Sequence, residues 1–181
     1  MYKRQALAVP FGDAFASWVG WVVAWLRPLI LLTPAPALHD GIVRQLIRIG
    51  YDRLNGYLAG GLAAWKAAGL PVESTSRMDV GALRELWGQT QTPLIIDVRQ
   101  QSEYHAGHIS GALNIELGEL QTHLDGLPRE LPVVTVCASG MRSTIAGSIL
   151  LRDGRRDTLV VDELGSVEWI ARGYPSATGE E

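Results

Sequence analysis

Shifted by 104 positions against itself, the chain matches without a gap over the last part of each half. Pro28 falls on Pro132, Leu46 on Leu150, Arg48 on Arg152 and Gly50 on Gly154. Gly61 then meets Gly165, Trp65 meets Trp169, Ala67 meets Ala171, Gly69 meets Gly173 and Pro71 meets Pro175. Upstream, a shift of 106 pairs Ala6, Leu7 and Gly12 with Ala112, Leu113 and Gly118. A repeat of this length is one structural unit used twice, so both copies must share one order of elements. That order reads apolar strand, loop, helix, strand, helix, then Gly-x-Pro.

The second copy is complete enough to trace. Residues 80–87 suit a helix with Asp79 as its N-cap. Apolar strands are expected at 94–97, 113–115, 133–136 and 158–161, and helices at 100–106, 117–124, 143–151 and 167–172. Gly173 and Pro175 close the last helix. Strands alternating with helices give an α/β fold with a mainly parallel sheet flanked by helices. Ligands of such sheets bind beyond the carboxyl ends of the strands. In the first copy a helix over 14–26 precedes a strand over 29–32. The division expected is a partial unit over 1–72, a linker over 73–78 and a complete domain over 79–181.

Hydrophobic residues make up 47% and charged residues 19%, enough apolar material for a core. A net charge of −3 offers no basic footprint, which argues against a nucleic-acid partner. The most apolar stretch, 14–32, is interrupted by Ser17, Arg27 and Pro28, short of the roughly 20 apolar residues a membrane span needs. No membrane partner is expected. Trp18, Trp21 and Trp25, at helical spacing, read as core or interface. The single cysteine, Cys137, rules out an internal disulfide and a Cys-rich metal site, and suits a reducing, cytoplasmic location. His105 and His108 have no carboxylate or thiol at ligand spacing, so no metal site and no cofactor are expected.

Cys137 lies between the β-branched run 133–136 and a helix N-terminus. First-turn amides have no intrahelical acceptor, and the helix dipole is positive there. Gly140 lets the loop turn tightly, so its amides can converge as in an anion nest. Arg142 adds a permanent charge with a forked donor set. A thiolate in such a place is expected to have a lowered pKa and to act as a nucleophile near neutral pH. A buried structural cysteine would explain neither Gly140 nor Arg142.

Four motifs in order carry a resemblance. They are Asp97-Val98-Arg99, then Glu103-Tyr104-His105-Ala106-Gly107-His108-Ile109-Ser110-Gly111-Ala112, then Cys137-x-x-Gly140-x-Arg142-Ser143, then Trp169-x-x-x-Gly173-Tyr174-Pro175. Together they resemble the rhodanese family. The resemblance implies a sulfurtransferase that moves sulfane sulfur from thiosulfate or a small persulfide to a thiol or cyanide, through a Cys137 persulfide. The resemblance then makes Cys137 and Arg142 the catalytic pair, with Ala138, Ser139, Gly140, Met141 and Ser143 binding substrate. Asp97 and Arg99 fix loops, while Glu103 and His108 anchor the turn around Gly107. Related phosphatases place five residues between Cys and Arg; here there are four, a smaller ring suited to sulfur. Ala138 stands where members handling thiosulfate often carry Arg or Lys, and Gly165-Ser166 where many have Gly-Gly.

In the first copy Thr33 takes the place of Cys137, and Pro34 and Pro36 remove amide donors from its loop. This copy is expected to be a silent, degenerate unit. Residues 15–21 and 56–61 resemble the matching unit of proteins that begin with a metallo-β-lactamase-fold domain, which implies such a domain as upstream partner. The alternative to an enzyme is then a sulfur-carrying module serving it. Met1–Gln5 match a translated transposase sequencing adapter, and are expected to add nothing to the fold.

Overall fold

Residues 6–90 and 92–180 are described by the computed structural model, and they pack as two units. One is Phe11–Glu73; the other joins the residues up to Pro10 with Ser74–Glu181. The adapter-like Met1–Gln5 lie outside the described residues.

In the smaller unit, α1 (Phe15–Val22) buries Phe15, Val19 and Val22, an apolar stripe at helical spacing. Trp21 and Trp25 are 42% and 67% exposed, so the tryptophans do not form the buried face of this helix. The helix stops well before residue 26: Val23 is already extended, and Pro28 ahead disfavours helical backbone. The apolar stretch 14–32 is therefore broken into a helix, a turn and β1 (Leu29–Leu31). After it come α2 (His39–Arg48), β2 (Leu54–Tyr57) and α3 (Gly61–Ala67), with β1 and β2 parallel. Among the described residues no helix is long and apolar enough to cross a membrane.

The larger unit is built on five strands: β3 (Ser76–Met78), β4 (Leu94–Asp97), β6 (Leu113–Asn114), β7 (Val133–Val136) and β8 (Thr158–Val161). Their order is β3-β8-β7-β4-β6 and every pairing is parallel. The helices are α4 (Val80–Leu86), α5 (Gln101–Ala106), α6 (Leu120–His123), α7 (Met141–Arg152) and α8 (Gly165–Ala171). Val134, Val136 and Ile95 pack with Val80, Leu83 and Trp169 of α4 and α8. On the other face Thr135 Oγ1 donates to Ser143 O of α7. A strand covered on both faces must be apolar throughout, and all four residues of β7 are buried. Asp79 caps α4 as expected, its Oδ1 accepting the Ala82 N–H at 2.7 Å.

Two further features differ from the sequence reading. The stretch 73–78, expected to be a linker, contains β3, because the edge of β8 offers a ladder that local propensity does not reveal. A two-residue antiparallel pair, β5 (His108–Ile109) with β9 (Ser176–Ala177), ties the chain end to the Gly107 turn. Residues 6–10 form no strand, although they align with the region around β6, and Ala8 N–H donates to Ser148 Oγ in the larger unit. Beside β1 no described strand plays the part that β4 plays beside β7.

The repeat reappears within each unit. Shifted by 104, β2 and α3 coincide with β8 and α8, and α2 ends with α7. The register Leu29↔Leu54 maps onto Val133↔Thr158, until an irregularity in the β1–β2 pairing breaks the match. Trp65 Nε1 donates to Pro71 O at 3.0 Å, and Trp169 Nε1 donates to Pro175 O at 2.7 Å. An added Cβ on Gly61 would approach Thr33 O, as one on Gly165 would approach Cys137 O.

Candidate active site

The first residue beyond β7 is Cys137, fully buried at the carboxyl end of a central strand. Its carbonyl accepts the Ser166 N–H at 3.0 Å, which fastens it to the start of α8. Its Sγ accepts the Ser143 N–H at 3.4 Å and lies 3.6 Å from Ser143 Oγ. Ser143 Oγ in turn stands 2.9 Å from Gly140 O and 2.7 Å from Val161 O. Ser143 is thus buried below the sulfur, locking the loop to β8. Met141 and Arg142 N–H, in the first turn of α7, have no intrahelical acceptor. Ala138 is half-buried, and Ser139 and Met141 are exposed at the rim.

Gly140 takes φ +81°, and a Cβ there would stand 1.7 Å from Asp162 O. No other residue fits between that carbonyl and the turn. At Gly165 a Cβ would come within 2.4 Å of Cys137 O. The loop is therefore clasped between α7 and the 162–165 turn by backbone proximity that only glycine permits.

Arg142 does not reach toward the sulfur with a spare fork. Its Nη1 and Nη2 donate to Glu103 Oε2 and Oε1 at 2.6 and 2.8 Å, a bidentate pair. Those hydrogen bonds are the main cause holding the Glu103 carboxyl below its ordinary value and pushing the Arg142 guanidinium above its own. Glu103 was expected at the Gly107 turn; there Arg99 Nη2 donates to Gly107 O at 2.7 Å instead. Asp97 and Arg99 form a buried pair, Nη2 to Oδ2 at 2.7 Å. Ser166 Oγ donates to the same Asp97 oxygen at 3.0 Å, so the serine beside Gly165 has a use that glycine would not supply. His108 is buried, its ring stacked on Tyr104 at 3.6 Å with Nδ1 2.9 Å from Tyr104 O. His105 Nε2 lies 3.8 Å from Glu180 Oε1.

Asn114 was not foreseen. Its Nδ2 donates to both Asp97 O and Arg99 O, holding the β4 end in shape. Nothing in the local sequence distinguishes it from any strand-end asparagine.

A parallel α/β unit with its thiol at a strand end, wrapped by a glycine-turned loop and a helix N-terminus, defines the class. The model of the Rhodanese-like domain matches residues 80–172, just over half of the chain, and the chain belongs to that family.

Two curated proteins show what the chain is similar to. The chain is 31% identical over 119 residues to the HTH-type transcriptional regulator Rv0324 of Mycobacterium tuberculosis, covering 65% of this chain and 50% of the regulator. It thus spans only half of that relative's length. It is 30% identical over 95 residues to the thiosulfate sulfurtransferase GlpE of Pseudomonas fluorescens SBW25, covering 52% of this chain and 81% of that enzyme. Among solved structures, the Alr3790 protein of Anabaena sp. aligns with TM-score 0.51 and 25% identity, over 56% of this chain and 82% of that one. A thiosulfate sulfurtransferase from Pseudomonas aeruginosa aligns with TM-score 0.52 and 21% identity, over 84% of this chain and 33% of that one, a likeness of fold.

Proposed function

We propose that the chain is a sulfurtransferase that carries sulfane sulfur on Cys137. The observation that carries this reading is the placement of its only thiol. Sγ sits at the end of β7, fixed by the Ser143 N–H, inside a loop that Gly140 turns around it. The similarity to GlpE over most of that enzyme's length supports it. In the first step the Cys137 thiolate attacks the sulfane sulfur of thiosulfate or a small persulfide. An S–S bond to Cys137 forms, and sulfite or a thiolate leaves with the electron pair of the broken bond. In the second step a thiol or cyanide takes the outer sulfur and the Cys137 thiolate returns. Helix-end amides suit the charge on that outer sulfur.

Mass spectrometry after incubation with thiosulfate or glutathione persulfide should find one added sulfur on Cys137. Cys137→Ser should abolish both loading and transfer. A wild-type chain that stays unloaded, or an active Cys137→Ser variant, would overturn the reading.

A second reading is a sulfur-carrying module that loads once and serves a larger protein. The observation behind it is that the alignment spans only half of a transcriptional regulator, so a stretch like this one can be part of a larger protein. We read Phe11–Glu73 as a thiol-free degenerate rhodanese-like unit, and a metallo-β-lactamase-fold domain as the upstream partner. In that unit Thr33, at the place of Cys137, has its Oγ1 2.6 Å from His39 Nε2. Steady-state turnover against single loading separates the two readings.

A further inference from the structure

The ionic groups around the Cys137 loop cancel one another. Arg142 is the one cation within 137–143, and its fork is occupied by Glu103. Behind the loop, Arg99 is paired with buried Asp97. The 162–165 turn that clasps Gly140 contains two carboxylates, Asp162 and Glu163, and no cation. Asp162 pairs with Arg77 at 3.2 Å, and Glu163 is exposed. The rim residues Ala138, Ser139 and Met141 are uncharged, and Met141 is 43% exposed. The exposed face of the loop is therefore uncharged, and the ionic groups around it sum to neutral or acidic.

Sulfur donors differ in what adjoins the transferred sulfur. In thiosulfate it is a compact sulfonate, whose second charge a free guanidinium beside the amides would help to draw out of water. In an alkyl persulfide the sulfane sulfur adjoins a thiol sulfur on an uncharged carbon, which an uncharged loop face accepts at little desolvation cost. We infer that Glu103 sets the donor class: by occupying the Arg142 fork it turns the site away from sulfonate donors and toward alkyl persulfides.

This rests on the sulfurtransfer reading above. The step balances simply. The Cys137 thiolate attacks the terminal sulfur of R–S–SH, the S–S bond of the donor breaks and R–S⁻ leaves, while the transferred sulfur keeps its proton until the Cys137 persulfide ionises against the loop amides. Glu103 touches no reacting atom and is a positioning residue. It acts by deciding whether the Arg142 charge is spent or available.

The test is kcat/KM for thiosulfate and for glutathione persulfide, measured on the full chain with cyanide as acceptor. The wild type should prefer glutathione persulfide by about tenfold or more, the size of effect expected from one charge-assisted hydrogen bond withheld from the sulfonate. Glu103→Gln should release the Arg142 fork and raise the thiosulfate-to-persulfide ratio by about tenfold, chiefly by lowering KM for thiosulfate. Adding Arg142→Gln to Glu103→Gln should return the ratio to its wild-type side, which a merely structural role for Glu103 would not do. A ratio unchanged in Glu103→Gln, with sulfur still loading on Cys137, overturns the inference and leaves the sulfurtransfer reading intact. Should that variant fail to fold, the wild-type ratio decides: a preference for thiosulfate overturns the inference. Loading from neither donor overturns the underlying reading.

Discussion

Gly140 concentrates the local constraint on the Cys137 loop. Its φ of +81° and the 1.7 Å gap from a built Cβ to Asp162 O leave no room for a side chain. Left-handed backbone alone costs a non-glycine residue about 1–2 kcal/mol, and the Asp162 carbonyl would have to move as well. Gly140→Ala should therefore lose at least that much stability in denaturant unfolding. On the sulfurtransfer reading it should also slow sulfur loading by about a hundredfold, since misaligned amides would no longer face the outer sulfur. A variant of unchanged stability and rate would show that the loop tolerates another path. Asp97 illustrates a different constraint. Four groups, Arg99 N, Nε and Nη2 together with Ser166 Oγ, converge on one fully buried carboxylate. Such a charge is tolerable in the interior only because every contact satisfies it.

Between elements, the Glu103–Arg142 pair is the ionic link from α5 to α7. Its pH dependence has a definite sign. The Glu103 carboxyl is held below its ordinary value, chiefly by its hydrogen bonds to Arg142. The stability it contributes is therefore present above the ordinary glutamate range and is lost as pH falls through the depressed folded value. Thermal melts of wild type and Glu103→Gln should differ at neutral pH, with the wild type higher. The gap should close as the solution is acidified below the ordinary glutamate range. A gap independent of pH would remove this pair from the stability of the link. The edge strand β3 is held differently, by its ladder to β8 and by the Arg77–Asp162 pair, which is largely exposed and contributes little.

For the whole molecule, the repeat makes a comparison the chain itself supplies. Ile30 of β1 is 73% exposed, whereas its counterpart by the 104 shift, Val134, is fully buried between β4 and β8. Trp65 is 38% exposed and Trp169 is fully buried. The smaller unit thus presents apolar side chains and a strand edge of the kind that drives association. The segment Ser74–Glu181 contains the complete five-stranded sheet and the core around Trp169. Expressed alone, it should be monomeric by light scattering and keep sulfur transfer, while the full chain self-associates. A monomeric full chain would mean that these exposed groups are too dispersed to bind a second copy. An inactive segment would assign the rest of the chain a part in supporting the site.

The order of strands and helices, the cap at Asp79 and the position of Cys137 after a buried strand were legible from residue type and spacing. They depend on local rules: β-branched runs, capping side chains and glycine at turns. The parallel sheet also followed, since strands joined through helices have few other ways to pair. What the sequence did not reveal are the partners. Glu103 and Arg142 are 39 residues apart, and nothing near either shows that they meet. Arg142 read as a cation for the sulfur; the fold spends its charge on α5. β3 and the β5–β9 pair became strands only because a distant edge was there to receive them. Local chemistry is written along the chain, but hydrogen-bond partners and burial arise from packing across it, and these decided how the charge beside Cys137 is used.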